Sequence, residues 1–538
     1  MLPASAGASV DRGSASHAYM QGRLADDQGV PGIALNNYRR ALDQDPASSE
    51  IARRSYFQAM IGGDMPLALR SASVLEADGI LPRDGTLLRI GEALNRKDWA
   101  NARRWIDQMV TEGNFAFLAP IMRSWISADE GRYTPPVIDP DDKFASLSRR
   151  YLDEHIALQA LRRADLKGAE PAINRALALR LGDAGELRLL FAGQLAAHGA
   201  KAQALALLPA DEADFALARA DIGRGKGAAA YGKPLSAAQG FARLLARLAT
   251  DISSDGSTGS LGIRLARMAT FADGGSAASR IVAADLLRRG GHAGYAVEEA
   301  RKVPADGWYG GLAQAELVDA LAANGQSADA IVLARTMAAA PAAGVERHVR
   351  LGRLLADAKD NQGAATAFKA AQSRFPADHV PWALLLFEAN ALDQGGRWDE
   401  AQTVLERALK IAPQEASLLN YLGYGQIERR QNVDAALELL RQASAIKPQD
   451  SAITDSLGWA QYVTGNVDAA VPLLERAAVG APADPTINEH LGDALWAAGR
   501  RYEARYAWRA AAVFADAAAA ERLTAKTREG MKPEYAAR

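Results

Sequence analysis

Along the last third of the chain, small and large apolar residues return at a fixed interval. Leu422-Gly423, Leu457-Gly458 and Leu491-Gly492 stand 35 and 34 residues apart. Each pair is followed by an alanine (Ala436, Ala470, Ala504) and, four residues on, by a large apolar residue (Leu440, Leu474, Trp508). A second alanine comes next (Ala443, Ala477, Ala511), and Pro448 and Pro482 punctuate before the next unit. Upstream, Ala389, Ala401, Leu405, Ala408 and Pro413 keep the same offsets, as do Gly352, Ala364, Phe368, Ala371 and Pro376. Spacings of three and four hold such positions on one helical face. Proline, with no N–H and a ring that clashes with the preceding turn, stops the second helix. The pattern predicts two antiparallel helices per unit, brought close by the small residues and sealed by the large ones.

The start of the chain repeats this register in Gly22, Ala34, Tyr38, Ala41 and Pro46, with weaker units around Ala68 and Ala102. The middle is degenerate but still reads as hairpins, at Ala172-Ala176-Leu179, Ala192-Ala204-Leu208, Ala284-Ala296 and Val318-Ala330-Ala334. Three stretches interrupt it. Tyr133 to Pro140 is too rich in proline to be helical. Gly223 to Gly227, running on to Pro234, reads as a flexible connector, and Asp251 to Gly259 as a polar loop between helices.

This register resembles the tetratricopeptide repeat (TPR). The expected fold is all-α: a TPR α-solenoid, a right-handed superhelix of about fourteen helical hairpins whose repeats touch mainly their neighbours. The expected organisation is a disordered tail or signal remnant over 1–14, an N-terminal TPR array over 15–130, and degenerate helical repeats over 131–250. A C-terminal TPR array over 251–516 and a capping helix and tail over 517–538 complete it. Composition supports a helical array over separate globular domains, although 538 residues would suggest three or four at roughly 150 residues each. Hydrophobic residues make up 49 % and aromatics only 7 %. Alanine supplies the difference, and alanine favours helix over strand.

Charge and cysteine usage narrow the function. A net charge of −2 is not the basic profile of a nucleic-acid binder. No apolar run approaches the ~20 residues of a transmembrane helix. The chain has no cysteine, which excludes disulfides, thiolate metal sites and cysteine nucleophiles. Met1 to Ser9 has no basic or apolar stretch, yet its small residues look like the end of a secretory signal. A leader-stripped exported protein and a cytoplasmic tail are the two alternatives.

Catalytic motifs are not found. Glu489-His490 lacks the second histidine of a zinc-protease helix. Gly225-Lys226 superficially resembles a phosphate loop, but Ala220 and Gly227 occupy positions that need glycine and Ser or Thr. The seven histidines show no metal spacing, and Asp141-Asp142 reads as solvated. The expectation is a non-enzymatic protein with no cofactor and no metal.

A stack of such hairpins offers a concave surface lined by the first helix of each unit. There the last three strong units carry Asn420, Tyr424 and Ile427; Asp455, Trp459 and Tyr462; and Glu489, Asp493 and Trp496. Rings supply apolar contact and amides pair with a peptide backbone, so Asn420, Tyr424, Asp455, Trp459, Tyr462, Glu489, Asp493 and Trp496 are the candidate binding groove. The alternative is that the rings pack between adjacent first helices. The carboxylates favour a basic or neutral ligand over an acidic one. In TPR co-chaperones that grip acidic tails, Lys and Asn stand where this chain has Asp455 and Glu489.

Leu419-Asn420-Tyr421-Leu422-Gly423-Tyr424, Asp455-Ser456-Leu457-Gly458-Trp459 and Asn488-Glu489-His490-Leu491-Gly492-Asp493 resemble signatures of large TPR proteins of Gram-negative bacteria, common in alphaproteobacteria, and Ala18 to Ala25 resembles their usual opening. That resemblance implies a periplasmic or envelope-associated scaffold with a protein or peptide partner. One related type is an adaptor, in some cases an outer-membrane lipoprotein, that delivers cell-wall hydrolases to a carboxyl-terminal processing protease. The sequence as given departs from that type in having no cysteine, so a lipid-anchor motif is expected only if it was lost with a leader. A glycan- or peptidoglycan-binding accessory protein is a further alternative for the aromatic groove.

Overall fold

The computed structural model describes residues 12–141, 144–178, 184–254, 259–341, 343–376 and 379–535. The Met1 to Ser9 segment, Asp142, Leu179, most of the loop after Ser254 and the last residues of the tail lie outside them. The described residues form α-helices and three short 3-10 turns, with no strand among them. Compact packing divides the chain into two units, Met1–Arg347 and His348–Arg538.

The second unit is a run of hairpins in the expected register. After Val345–Asp357 and Asn361–Gln372 come Trp382–Gln394 with Trp398–Ile411, and Ala416–Glu428 with Val433–Ile446. Ser451–Val463 with Val467–Gly480, then Pro485–Ala497 with Arg501–Phe514, follow before the final helix Ala517–Glu529. Their starts are set locally. Asp450 accepts from the Ala452 and Ile453 amides at 3.0 and 3.1 Å, and Asp484 accepts from Thr486 and Ile487 at 2.8 and 3.1 Å, satisfying orphan N–H groups of the first turn. The small residue of each first helix lies under the large residue of the second. Gly423 faces Leu440, Gly458 faces Leu474 and Gly492 faces Trp508, and on the second helices Ala436, Leu440, Ala470, Leu474, Ala504 and Trp508 are fully buried. First helices also touch one another: Ser451–Val463 packs on both Ala416–Glu428 and Pro485–Ala497.

The first unit also stacks hairpins, and here helices far apart in sequence meet as well. The helix Ser260–Ala272 packs back against Ser49–Gly62 and Gly85–Asn95. The helix Ala237–Ile252 packs against Gly85–Asn95, Ala119–Asp129 and Ala145–Arg162. Their inner faces are almost wholly buried and bring arginines with them. Arg243 donates to Glu154 at 2.6 and 3.0 Å and to Glu186 at 2.5 Å. Arg264 donates to Asp84 at 2.7 Å, and Arg267 to Glu299 at 2.6 Å and to the Ile61 carbonyl at 2.9 Å. A buried charge is tolerable only when paired in this way. Close approach is permitted by Gly240, where an added Cβ would stand 2.3 Å from Trp125. Trp125 in turn donates to His155 Nδ1 at 2.9 Å, and burial pushes that imidazole down to about 4, so it accepts as a neutral ring.

Tyr133 to Pro140 has no helix, as its prolines demand. The stretch read as a flexible connector is instead packed in place. Tyr231 stacks on Trp308 with centroids 4.2 Å apart, its hydroxyl accepts the Trp308 amide at 3.0 Å, and Trp308 Nε1 donates to Asp221 at 3.0 Å. Gly227, at φ +87, is needed there, because a Cβ would lie 2.4 Å from the same indole.

Candidate functional site

Within the second unit, the first helices of successive hairpins line a cavity of about 670 Å³. Trp382–Gln394 contributes Asp393 and Gln394. Ala416–Glu428 and the residue after it contribute Asn420, Tyr421, Tyr424, Gly425, Glu428 and Arg429. Ser451–Val463 contributes Ala452, Asp455 and Ser456, and the start of Pro485–Ala497 adds Asp484, Thr486 and Ile487.

Of the groove residues read from the sequence, Asn420, Tyr424 and Asp455 line this cavity. Trp459 lies beside it but is buried, with its indole stacked on His490 of the next first helix (3.9 Å, 13°) and on Tyr462 (5.0 Å, 27°). Its Nε1 donates to Glu428 at 2.6 Å. Trp459 thus fills the seam between adjacent first helices. Glu489 and Asp493 are held from the final helix: Lys526, wholly buried, donates to Glu489 at 2.7 Å and to both Asp493 oxygens at 2.8 Å. Arg522 donates to Glu489 at 2.6 Å, and Trp508 to Asp493 at 2.8 Å. Trp496 packs against Trp508 (5.4 Å), with Gly530 against its ring. The structure therefore separates the set into three cavity-lining residues and a second group engaged in seams and the C-terminal cap.

Several residues of the site were not singled out from the sequence. Asp393 sits one repeat upstream at the twelfth position, the same position as Ile427 and Tyr462, and extending the register would have named it. It pairs with Arg429 and accepts from Tyr421 at 3.2 Å. The Arg429 guanidinium lies 4.2 Å above the Trp398 ring. Glu428 falls one position beyond the register, so no signal marked it.

The electrostatics follow from burial and neighbours. His490 is buried with Nδ1 2.9 Å from Asp455. Burial alone would lower its pKa. The Asp455 carboxylate outweighs that, with help from Asp493 and Glu428, and holds the imidazole above its ordinary value. Burial raises the Tyr424 phenol, and neighbouring Glu428 and Asp455 push it further up. Burial also raises Asp493, whereas Arg522 and Lys526 together overcome burial and lower Glu489. The Asn420 side-chain oxygen is shielded yet has no hydrogen-bond partner. Among the described residues, no group of His, Asp and Glu could hold a metal ion, and no helix is long and apolar enough to cross a membrane.

Residues 355–422 match the tetratricopeptide repeat family. The match covers the hairpins that lead into the cavity and ends within the helix that carries Asn420 and Tyr421. No curated protein matches the chain. Among solved structures, a TPR protein from Parabacteroides merdae is 13 % identical, covering 47 % of this chain and 98 % of its own, at a TM-score of 0.40. A thermophilic TPR protein of Thermus thermophilus is 21 % identical over 34 % of this chain and 98 % of its own, at 0.30. MamA from strain AMB-1 is 22 % identical over 30 % and 95 %, at 0.26. With the family match and its stacked helical hairpins, the chain has an all-α TPR solenoid fold.

Proposed function

We propose that this protein is a non-enzymatic interaction scaffold that binds an extended segment of a partner protein along the first helices of its C-terminal TPR units. The observation that supports this is the cavity shared by four successive first helices, which is lined by a ring at Tyr424, an amide side chain at Asn420 and charged residues at Asp393, Arg429 and Asp484. A surface built from several repeats suits a ligand that runs across them. The sequence resemblance suggests a partner in the cell envelope, of the carboxyl-terminal processing protease class. Affinity capture from envelope extract should recover a partner on the wild-type chain and lose most of it on the Asn420→Ala/Tyr424→Ala variant. Equal recovery on both would sink the groove assignment. Recovery with no peptidase in the eluate would sink the protease-adaptor reading alone.

A further inference from the structure

The charge balance of this cavity identifies what its ligand must carry. Asp393, Glu428, Asp455 and Asp484 all line it, against a single cation, Arg429. Arg429 is committed to Asp393. Asp455 faces His490, at 2.9 Å. Glu428 spends one oxygen on the Trp459 indole, and Asp484 spends one on the amides that start its helix. Among the described residues, neither Glu428 nor Asp484 has a cationic partner. Elsewhere in the same unit, two other first-helix carboxylates, Glu489 and Asp493, have cations of the final helix against them, Lys526 on both and Arg522 on Glu489.

We infer that the cavity recognises a lysine or arginine side chain of an extended peptide segment, with Glu428 and Asp484 as charge partners and Tyr424 as the ring beside the aliphatic stem. This rests on the peptide-groove reading above and adds the chemical class of its ligand. A cationic side chain matches both carboxylates that lack a cation and the ring beside them. It brings several N–H donors, no acceptor, and a methylene stem that packs on an aromatic ring. An acidic segment would meet like charge.

The test uses the full chain and three pools of decapeptides, each randomised except for one fixed central Lys, Gln or Glu. Retention on the wild type should be about ten-fold greater for the Lys pool than for the Glu pool and should collapse at high salt. Glu428→Gln keeps an oxygen for the Trp459 indole, and Asp484→Asn keeps a helix cap. Each should cut Lys-pool retention several-fold while circular dichroism at the assay temperature shows the same helix content as the wild type. Equal retention of all three pools would overturn the cation preference and leave the groove reading intact. No retention of any pool would overturn both. Undiminished retention in both variants would place the binding elsewhere, and displacement by spermidine as effective as by the Lys pool would overturn a peptide as the source of the cation.

Discussion

At the scale of single residues, the glycines of the first helices show how literally the register is built. A Cβ at Gly458 would stand 2.8 Å from Leu474, one at Gly423 2.8 Å from Leu440, and one at Gly492 2.4 Å from Trp508. Each distance is below any real Cβ contact, so the large residue of the second helix occupies the space that a side chain would need. Gly458→Leu should cost about 1–3 kcal/mol through overpacking, read from urea unfolding. Hydrogen exchange should speed up first in the C-terminal repeats, because repeats are coupled mainly to neighbours. Uniform acceleration over the whole chain would contradict it. These contacts were legible in the sequence, since glycine and its partner lie in one hairpin. The fate of Glu489 and Asp493 was not, because Lys526 sits in a final helix with no repeat register.

At the scale of elements, the seam between Ser451–Val463 and Pro485–Ala497 holds the His490–Asp455 pair, its imidazole stacked on the Trp459 indole. His490 is held above its ordinary 6.5 by Asp455 despite burial. A group whose folded value is raised contributes stability that is complete below its unfolded value and is lost as pH rises through the folded one. The C-terminal repeats should therefore melt at lower temperature as pH rises from slightly acid into alkaline conditions. His490→Gln should be less stable at low pH and show a flatter profile. Parallel profiles for wild type and variant, followed by Trp459 fluorescence, would refute the role of the pair. The sequence marked both members as polar positions on first helices. It could not show that a residue at the fifth position of one helix meets one at the sixth of the next, because that depends on how neighbouring hairpins are rotated.

At the scale of the molecule, the two units differ in how far their polar links reach. In the second unit, side-chain hydrogen bonds among the described residues reach as far as Lys526 to Glu489, 37 residues apart. In the first, Arg264 reaches Asp84 across 180 residues and Arg267 reaches Ile61 across 206. Arg264→Met leaves Asp84 buried, with Tyr56 as a hydrogen-bond partner at 3.3 Å. Losing one member of a buried pair costs about 3–5 kcal/mol. Exchange should accelerate together in 85–95 and 260–272, as one cooperative block. Loosening confined to 260–272 would show that the first unit unfolds repeat by repeat after all.

What the sequence determined by itself is the helical hairpin, its period and the small-to-large packing inside it, because those contacts lie within about one repeat of about 34 residues. Tertiary structure alone decided the rest. It returned the 237–272 helices onto the N-terminal hairpins, where buried arginines find acids that no local pattern pairs with them. It also divided one row of groove candidates in two. Asn420, Tyr424 and Asp455 line a cavity, while Glu489 and Asp493 are consumed by the cap. The physical reason is the same in both cases. A carboxylate's role depends on whether a cation is folded against it, and that cation comes from an element whose position no periodicity encodes.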